Sequence, residues 1–216
     1  IAVVVSGEVR ETDVYGADLV LRRTLRFPLG TGMIEIEDEV VNNGFEPAVL
    51  MLLYHVNVGY PVVADGARLI APRATVVGWD DASVARVAEH DRFAPPTAGF
   101  PPTVYEHRLV DPEAPWATIG IVNPTYAPTD GIAFSVAYQP RQLPFLWQWR
   151  MLAPGMYLTG LEPSNCGIRG RAHERQAGRL DVLAPAESRR FHLRLEARIG
   201  SAAQAFDPKA TRSAAP

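Results

Sequence analysis

The sequence predicts an all-β protein of antiparallel strands, and three features lead there. Apolar and polar residues alternate with period two over most of the chain. No stretch sustains the 3.6-residue apolar period of an amphipathic helix, and the alternating runs are parted by turn-forming Gly, Asn and Pro. At 216 residues, 47% hydrophobic and 21% charged, the chain has the apolar material for one large sandwich. The expected organisation is a single domain over 1–200 and a disordered tail over 201–216, where periodicity ceases.

Residues 2–14 read as the first strand, turned at Tyr15-Gly16. In 17–29, Leu19, Leu21, Leu25 and Phe27 alternate with Val20, Arg22, Thr24 and Arg26. Residues 33–41 set Ile34, Ile36 and Val40 against Glu35, Glu37 and Glu39, the pattern of a sheet with one solvated side. After the Asn42-Asn43-Gly44 turn comes 48–61, AVLMLLYHVNVGYP, whose unbroken apolar character predicts a strand buried on both faces, with Met51, Leu53, His55 and Asn57 sharing one of them. Residues 67–79 give two short strands split by Pro72. Residues 80–102 are a Pro-rich connection with a helical turn at 83–89, long enough to carry function or cover a site. Strands resume at 103–110, 117–122, 131–138, 143–152, 156–162, 179–183 and 190–200; in the last, Phe191, Leu193 and Leu195 face inward and His192 faces water.

The net charge of −3, with no basic stripe, argues against a nucleic-acid partner. The longest apolar run falls well short of the ~20 residues that a membrane-spanning helix needs, and no signal peptide is expected. The lone Cys166 fits a reducing compartment, so the expected location is cytoplasmic. There is no Gly-rich phosphate loop, serine elbow, zinc-type Cys/His spacing or His-x-His pair. Neither a cofactor nor a metal is therefore expected, and a cupin-like metal isomerase is disfavoured. Gly167-Ile168-Arg169-Gly170-Arg171, with no helix expected behind it, reads as a solvated turn.

Two strand ends carry the candidate chemistry. His55 closes the apolar run, and a polar group in such a place needs a partner or a purpose. Glu162 closes another run, GMYLTGLEPSN (155–165), just before a Pro-Ser-Asn turn. Between them in kind stands 143–152, LPFLWQWRML, with Phe145, Trp147, Trp149 and Met151 on one face and Gln148 and Arg150 on the other. Aromatic faces stack on sugar rings and amide or guanidinium groups bond ring hydroxyls, so this mixture suits a polyol.

LLYHVNVGYP resembles the segment of aldose 1-epimerases (mutarotases) that carries a Tyr-His or Asn-His pair, and YLTGLEPSN is similar to the later segment bearing that family's catalytic glutamate. The resemblance extends over most of 2–200, and the two blocks in this order are specific together. It implies a galactose mutarotase-like β-supersandwich with its site in a cleft on the concave sheet. Glu162 would be the base at the anomeric hydroxyl and His55 the acid at the ring oxygen of a monosaccharide. Asn57, Trp147, Gln148, Arg150, Asn165 and His107 are the candidates to bind the sugar, and Asp80, Asp81, Glu106 and His107 those for the family's sugar-binding aspartate. The resemblance also places a His-Gly-Arg block upstream of Ile1, so the chain is expected to be the C-terminal two-thirds of such a protein. A homo-oligomer is left open, and the alternative function is a non-catalytic carbohydrate binder on the same fold.

Overall fold

A computed structural model describes residues 1–206. Its strands are β1 (Ala2–Thr12), β2 (Asp18–Pro28), β3 (Met33–Asn42), β4 (Ala48–Leu50), β5 (Val56–Gly59), β6 (Arg68–Ile70), β7 (Ala74–Gly78), β8 (Thr103–Leu109), β9 (Ala117–Asn123), β10 (Ile132–Tyr138), β11 (Phe145–Ala153), β12 (Met156–Ser164), β13 (Asp181–Leu183) and β14 (Ser188–Ile199). Three short helices, α1 (Asp81–Ala85), α2 (Arg171–Gln176) and α3 (Ser201–Gln204), decorate them. One sheet runs β1-β2-β3-β14-β10-β9-β6, a second β5-β12-β11-β8-β7, and β13 pairs with β4; all ladders are antiparallel.

The core fills the space between the two large sheets. Ile36, Leu193, Val136, Tyr138, Ile119 and Ile121 come from the seven-stranded sheet, Val58, Leu146, Leu152 and Leu161 from the five-stranded one, and Tyr54 from the segment leading into β5. Because side chains alternate, each inward row fixes an outward row on the same strands. The outward row of the five-stranded sheet holds the candidate chemistry.

Residues 48–61 are not one strand buried on both sides. β4 pairs with β13, Leu53 bridges to Ser164, and only β5 joins β12, so the chain changes partners midway. Tyr54 and Val58 point inward and are buried, whereas His55 and Asn57 point outward and are exposed. Where β4 ends, the backbone of 50–52 is held by the Pro-Ser-Asn turn. Asn165 Nδ2 donates to the Leu50 carbonyl (3.0 Å), its Oδ1 accepts from Leu52 N–H (2.7 Å), and Ser164 Oγ donates to the Leu52 carbonyl (3.0 Å).

The helical turn expected at 83–89 is α1 followed by a 3₁₀ turn, Val87–Glu89, and Asp80 caps α1 by accepting from Ser83 N–H and Oγ–H at 2.8 and 2.6 Å. That takes Asp80 out of the sugar-binding candidates. His192 does not face open water: Trp116 lies edge-on to it at 5.0 Å and half-buries it, and this burial lowers its pKa. The tail expectation is corrected over its first residues, since α3 buries Ala203 and Phe206 beside Ala133 on β10; residues 207–216 lie outside the described residues. Among the described residues, no helix is long and apolar enough to cross a membrane.

Candidate active site

Pro154 and Gly155, the latter at φ 80°, form a two-residue link between β11 and β12, and that link dictates the register. Counting outward from Ala153 opposite Met156, Trp149 falls opposite Gly160 and Trp147 opposite Glu162. On the far side of β12, Asn57 stands opposite Gly160; continuing the same register sets His55 beside Glu162. Directly opposed residues share a face. His55, Asn57, Gly160, Glu162, Trp147 and Trp149 therefore all lie on the outer face of the sheet.

The two titratable groups meet there. His55 Nε2 is 3.1 Å from Glu162 Oε1, with the imidazole about half exposed and the carboxylate 7% exposed. The approach is close enough for an ion pair but not aligned as a hydrogen bond, so Oε1 is a buried carboxylate oxygen with no donor. Burial raises the Glu162 pKa, and the adjacent imidazole pulls it back only in part. A sugar ring cannot fit between groups in contact; a substrate would lie over the pair.

Three features hold this geometry. Gly160 leaves room for the carboxylate to fold back over the strand: a Cβ here would stand 2.1 Å from Glu162 Oε1 and 3.2 Å from His55 Cε1. Trp149, half-buried, sets its ring edge against the imidazole with centroids 6.0 Å apart. On either side of His55 the chain is pinned, by the Asn165 clamp on 50–52 and by Tyr54, whose hydroxyl donates to Asp38 at 2.6 Å while Asp38 is held by Arg23. Gly160 is not among the residues singled out from the sequence, and Trp149 stands there as a member of the aromatic row without being named as a sugar-binding residue. Counting register outward from Pro154-Gly155 is the signal that finds both.

Several sequence candidates lie elsewhere. Gln148, Arg150 and His107 are on the opposite, inner face, one residue out of phase with Trp147, Trp149 and Glu106. His107 Nε2 donates to Gln148 Oε1 at 3.0 Å, Gln148 Nε2 donates to the His90 carbonyl at 2.9 Å, and Arg150 reaches the carbonyls of Glu89 and Arg92 at 2.7 and 2.9 Å. They fasten the 79–102 connection to the sheet. Burial drives the His107 pKa down to about 4, which keeps the ring neutral. Asn165 is a clamp on the backbone, with both ends of its amide engaged. Trp147 shares the outer face with Glu162 but is nearly covered, by Trp79 edge-on at 5.7 Å and Phe145 stacked at 6.3 Å. The exposed aromatic surface is that of Trp149. The turn at 167–171 does have a helix behind it, α2, and Arg169 rests on the Trp79 ring at 4.2 Å. Among the described residues, no group of three or more His, Cys, Asp or Glu side chains is placed to hold a metal ion.

Comparison with known proteins gives the fold a family. A candidate aldose 1-epimerase from Klebsiella pneumoniae is 26% identical and superposes with a TM-score of 0.86 over 93% of this chain and 52% of its own. A galactose mutarotase related enzyme from Lactobacillus acidophilus (12% identity, TM-score 0.61, 90% of this chain and 68% of its own) and a galactose mutarotase-like protein from Clostridium acetobutylicum (13%, 0.57, 91% and 62%) share the fold. The chain thus spans about half the length of the Klebsiella protein. No curated protein matches the sequence. A family model described as a domain of unknown function, DUF4432, matches residues 1–197, and the chain belongs to that family, on a galactose mutarotase-like fold.

Proposed function

We propose that the His55–Glu162 pair interconverts the anomers of an aldose by ring opening and reclosure. Glu162 takes the proton of the anomeric hydroxyl as His55 delivers one to the ring oxygen. The C1–O5 bond breaks to leave a free aldehyde, rotation about C1–C2 exposes its other face, and reclosure with the two roles reversed returns both protons. The observation that carries this reading is the buried Glu162 oxygen with no donor, 3.1 Å from an imidazole nitrogen. A carboxylate so placed is a stronger base than one in water, and an imidazolium is a competent general acid towards an oxygen. The anomeric and ring oxygens hang from one carbon, so an acid and a base that serve both must stand side by side, as these do. Trp149 offers the ring an apolar wall and Asn57 a hydroxyl-binding amide on the rim. The similarity to the Klebsiella candidate aldose 1-epimerase points the same way.

The test is anomer interconversion followed by polarimetry or exchange NMR on free aldoses. Glu162→Gln is expected to lower the rate by ~10²–10⁴-fold, the usual worth of a positioned acid or base, with an unchanged circular dichroism spectrum. Undiminished rates would refute the assignment. Sugar binding by the wild-type chain without interconversion would leave a binding protein in its place.

A further inference from the structure

The connection that the inner face of β11 holds down runs back past β6, where Arg68 and Arg92 meet in an isolated antiparallel bridge. Leu69 N–H donates to the Asp91 carbonyl at 2.8 Å and Phe93 N–H to the Ala67 carbonyl at 3.2 Å. These bonds flank the bridge, so Arg68 and Arg92 are its non-hydrogen-bonded pair, the register that brings opposed side chains closest. Like charges set directly opposite each other destabilise a strand pair. Both arginines line a cavity of about 710 Å³ between the connection and β11.

A third arginine stands at the back of that cavity. Arg150 is 2% exposed, and while its two Nη atoms donate to the Glu89 and Arg92 carbonyls, its Nε is buried with no acceptor. The rings of Phe93, Phe100 and Tyr105 lie 5.6, 5.9 and 5.9 Å from it, contacts that ease the burial of a cation without cancelling its charge. The Glu89 carboxylate acts on Arg150 only as a nearby charge, because it is paired with Arg86 at 3.4 Å. A buried guanidinium ordinarily has a carboxylate partner. The lining as a whole is positive, with Arg68, Arg86, Arg92 and Arg150 against Asp65 and Glu89. Asp91 comes no nearer to Arg92 than 3.8 Å, and both side chains are exposed, so solvent screens that contact. Among the described residues, Arg68 has no ion pair.

We propose that this cavity is an anion site in which a phosphate group bridges Arg68 and Arg92 with Arg150 behind it. One ligand then meets three features together: it separates the opposed charges, gives the buried guanidinium a counter-ion, and presents oxygens to planar forks of donors that suit phosphate. A phosphomonoester carries about −1.5 to −2 at neutral pH, which matches the excess of positive charge better than a single carboxylate does. The volume falls within the ~300–1,000 Å³ usual for small-molecule sites, so the group is either inorganic phosphate or the phosphate of a phosphomonoester. Arg150 is on the opposite face of β11 from Trp149, so the site is separate from the His55–Glu162 pair and does not depend on what that pair does.

Calorimetric titration and thermal melting of the full chain test this. The probes are inorganic phosphate, sorbitol 6-phosphate, which has no anomeric carbon, its neutral parent sorbitol, and citrate. At least one of the two phosphate compounds is expected to bind tenfold or more tightly than sorbitol and than citrate, to raise the melting temperature as its concentration rises, and to bind more weakly as ionic strength increases. Equal affinities for the two phosphates identify the free anion as sufficient, and a tighter sorbitol 6-phosphate identifies a phosphomonoester. Arg150 is buried, and its replacement endangers the fold, so the exposed pair carries the test: Arg68→Ala and Arg92→Ala should each weaken phosphate binding by about tenfold, the worth of one hydrogen bond to a charged group. In phosphate-free buffer Arg68→Ala should melt no lower than wild type, since it relieves the opposed charges, and in phosphate the order should reverse. Excess glucose should leave phosphate binding unchanged. No binding of either phosphate, citrate or sorbitol binding as tightly, affinity untouched by both alanine variants, a melting order that does not change with phosphate, or displacement by glucose would overturn the proposal.

Discussion

On the inner face of the five-stranded sheet, His107 stands beside Gln148 and Arg150; on the outer face, His55 stands beside Glu162 and Trp149. Both faces put a histidine next to a polar partner on neighbouring strands, yet they handle it in opposite ways. Inside, the amide and guanidinium find loop carbonyls at 2.7–2.9 Å and the imidazole bonds the amide at 3.0 Å and is kept neutral, although its Nδ1 and Arg150 Nε are buried without a partner. Outside, a carboxylate oxygen is buried with no hydrogen-bond donor and its pKa rises, a costly arrangement for stability. The inner bonds tie a loop to the sheet. The outer carboxylate oxygen, beside a half-exposed imidazole, is the one the proposed function gives a substrate hydroxyl.

The contrast breaks most sharply at Gly160. Gly160→Ala puts a methyl group where Glu162 Oε1 lies and must swing the carboxylate off His55. Interconversion should fall by ~10²-fold, the effect of displacing a catalytic group by about an ångström, with little change in melting temperature. A fully active alanine variant would mean that the folded-back carboxylate is not the working conformation.

Next in size is the acid limb of the stability curve. His107 titrates at 6.5 unfolded and about 4 folded. Its depressed folded pKa means that stability is intact above pH 6.5 and is lost as pH falls towards 4. At ~1.4 kcal/mol per pH unit this one side chain accounts for about 3 kcal/mol. His107→Gln should flatten that part of the curve in urea titrations at successive pH values. Gln148→Ala orphans His107 Nε2 and the His90 carbonyl, and should cost about 2 kcal/mol while leaving kcat for interconversion where it was. A loss of kcat without loss of stability would move the inner face into the site.

The smallest effect has the most telling sign. Because the Glu162 pKa is raised by folding, its ionisation works against the native state, and the wild type loses stability as pH rises through the folded value. Glu162→Gln should therefore melt no lower than wild type at pH 8, and any advantage should vanish on acidification. A variant less stable at pH 8 would show the carboxylate to be structural.

Much of this was legible in the sequence. Period two separated Trp147 and Trp149 from Gln148 and Arg150, and the Tyr-His and Gly-Leu-Glu blocks marked the two residues that meet. Which face of β11 belongs with Glu162 does not follow from alternation alone; it needs the register, and the Pro154-Gly155 link supplies it only once 143–152 and 156–162 are taken as a hairpin. The break in 48–61 was hidden because an apolar run looks the same whether the chain stays in one sheet or crosses to another. Gly160 was invisible for a different reason: its importance lies in a side chain two residues away that folds back over it.

The most direct test is a crystal structure of the protein with a bound aldose. The account predicts the ring over the outer face beside Trp149, with the anomeric hydroxyl within hydrogen-bond reach of Glu162 and the ring oxygen within reach of His55. A sugar bound elsewhere, or seated so that Glu162 still meets only His55, would contradict it.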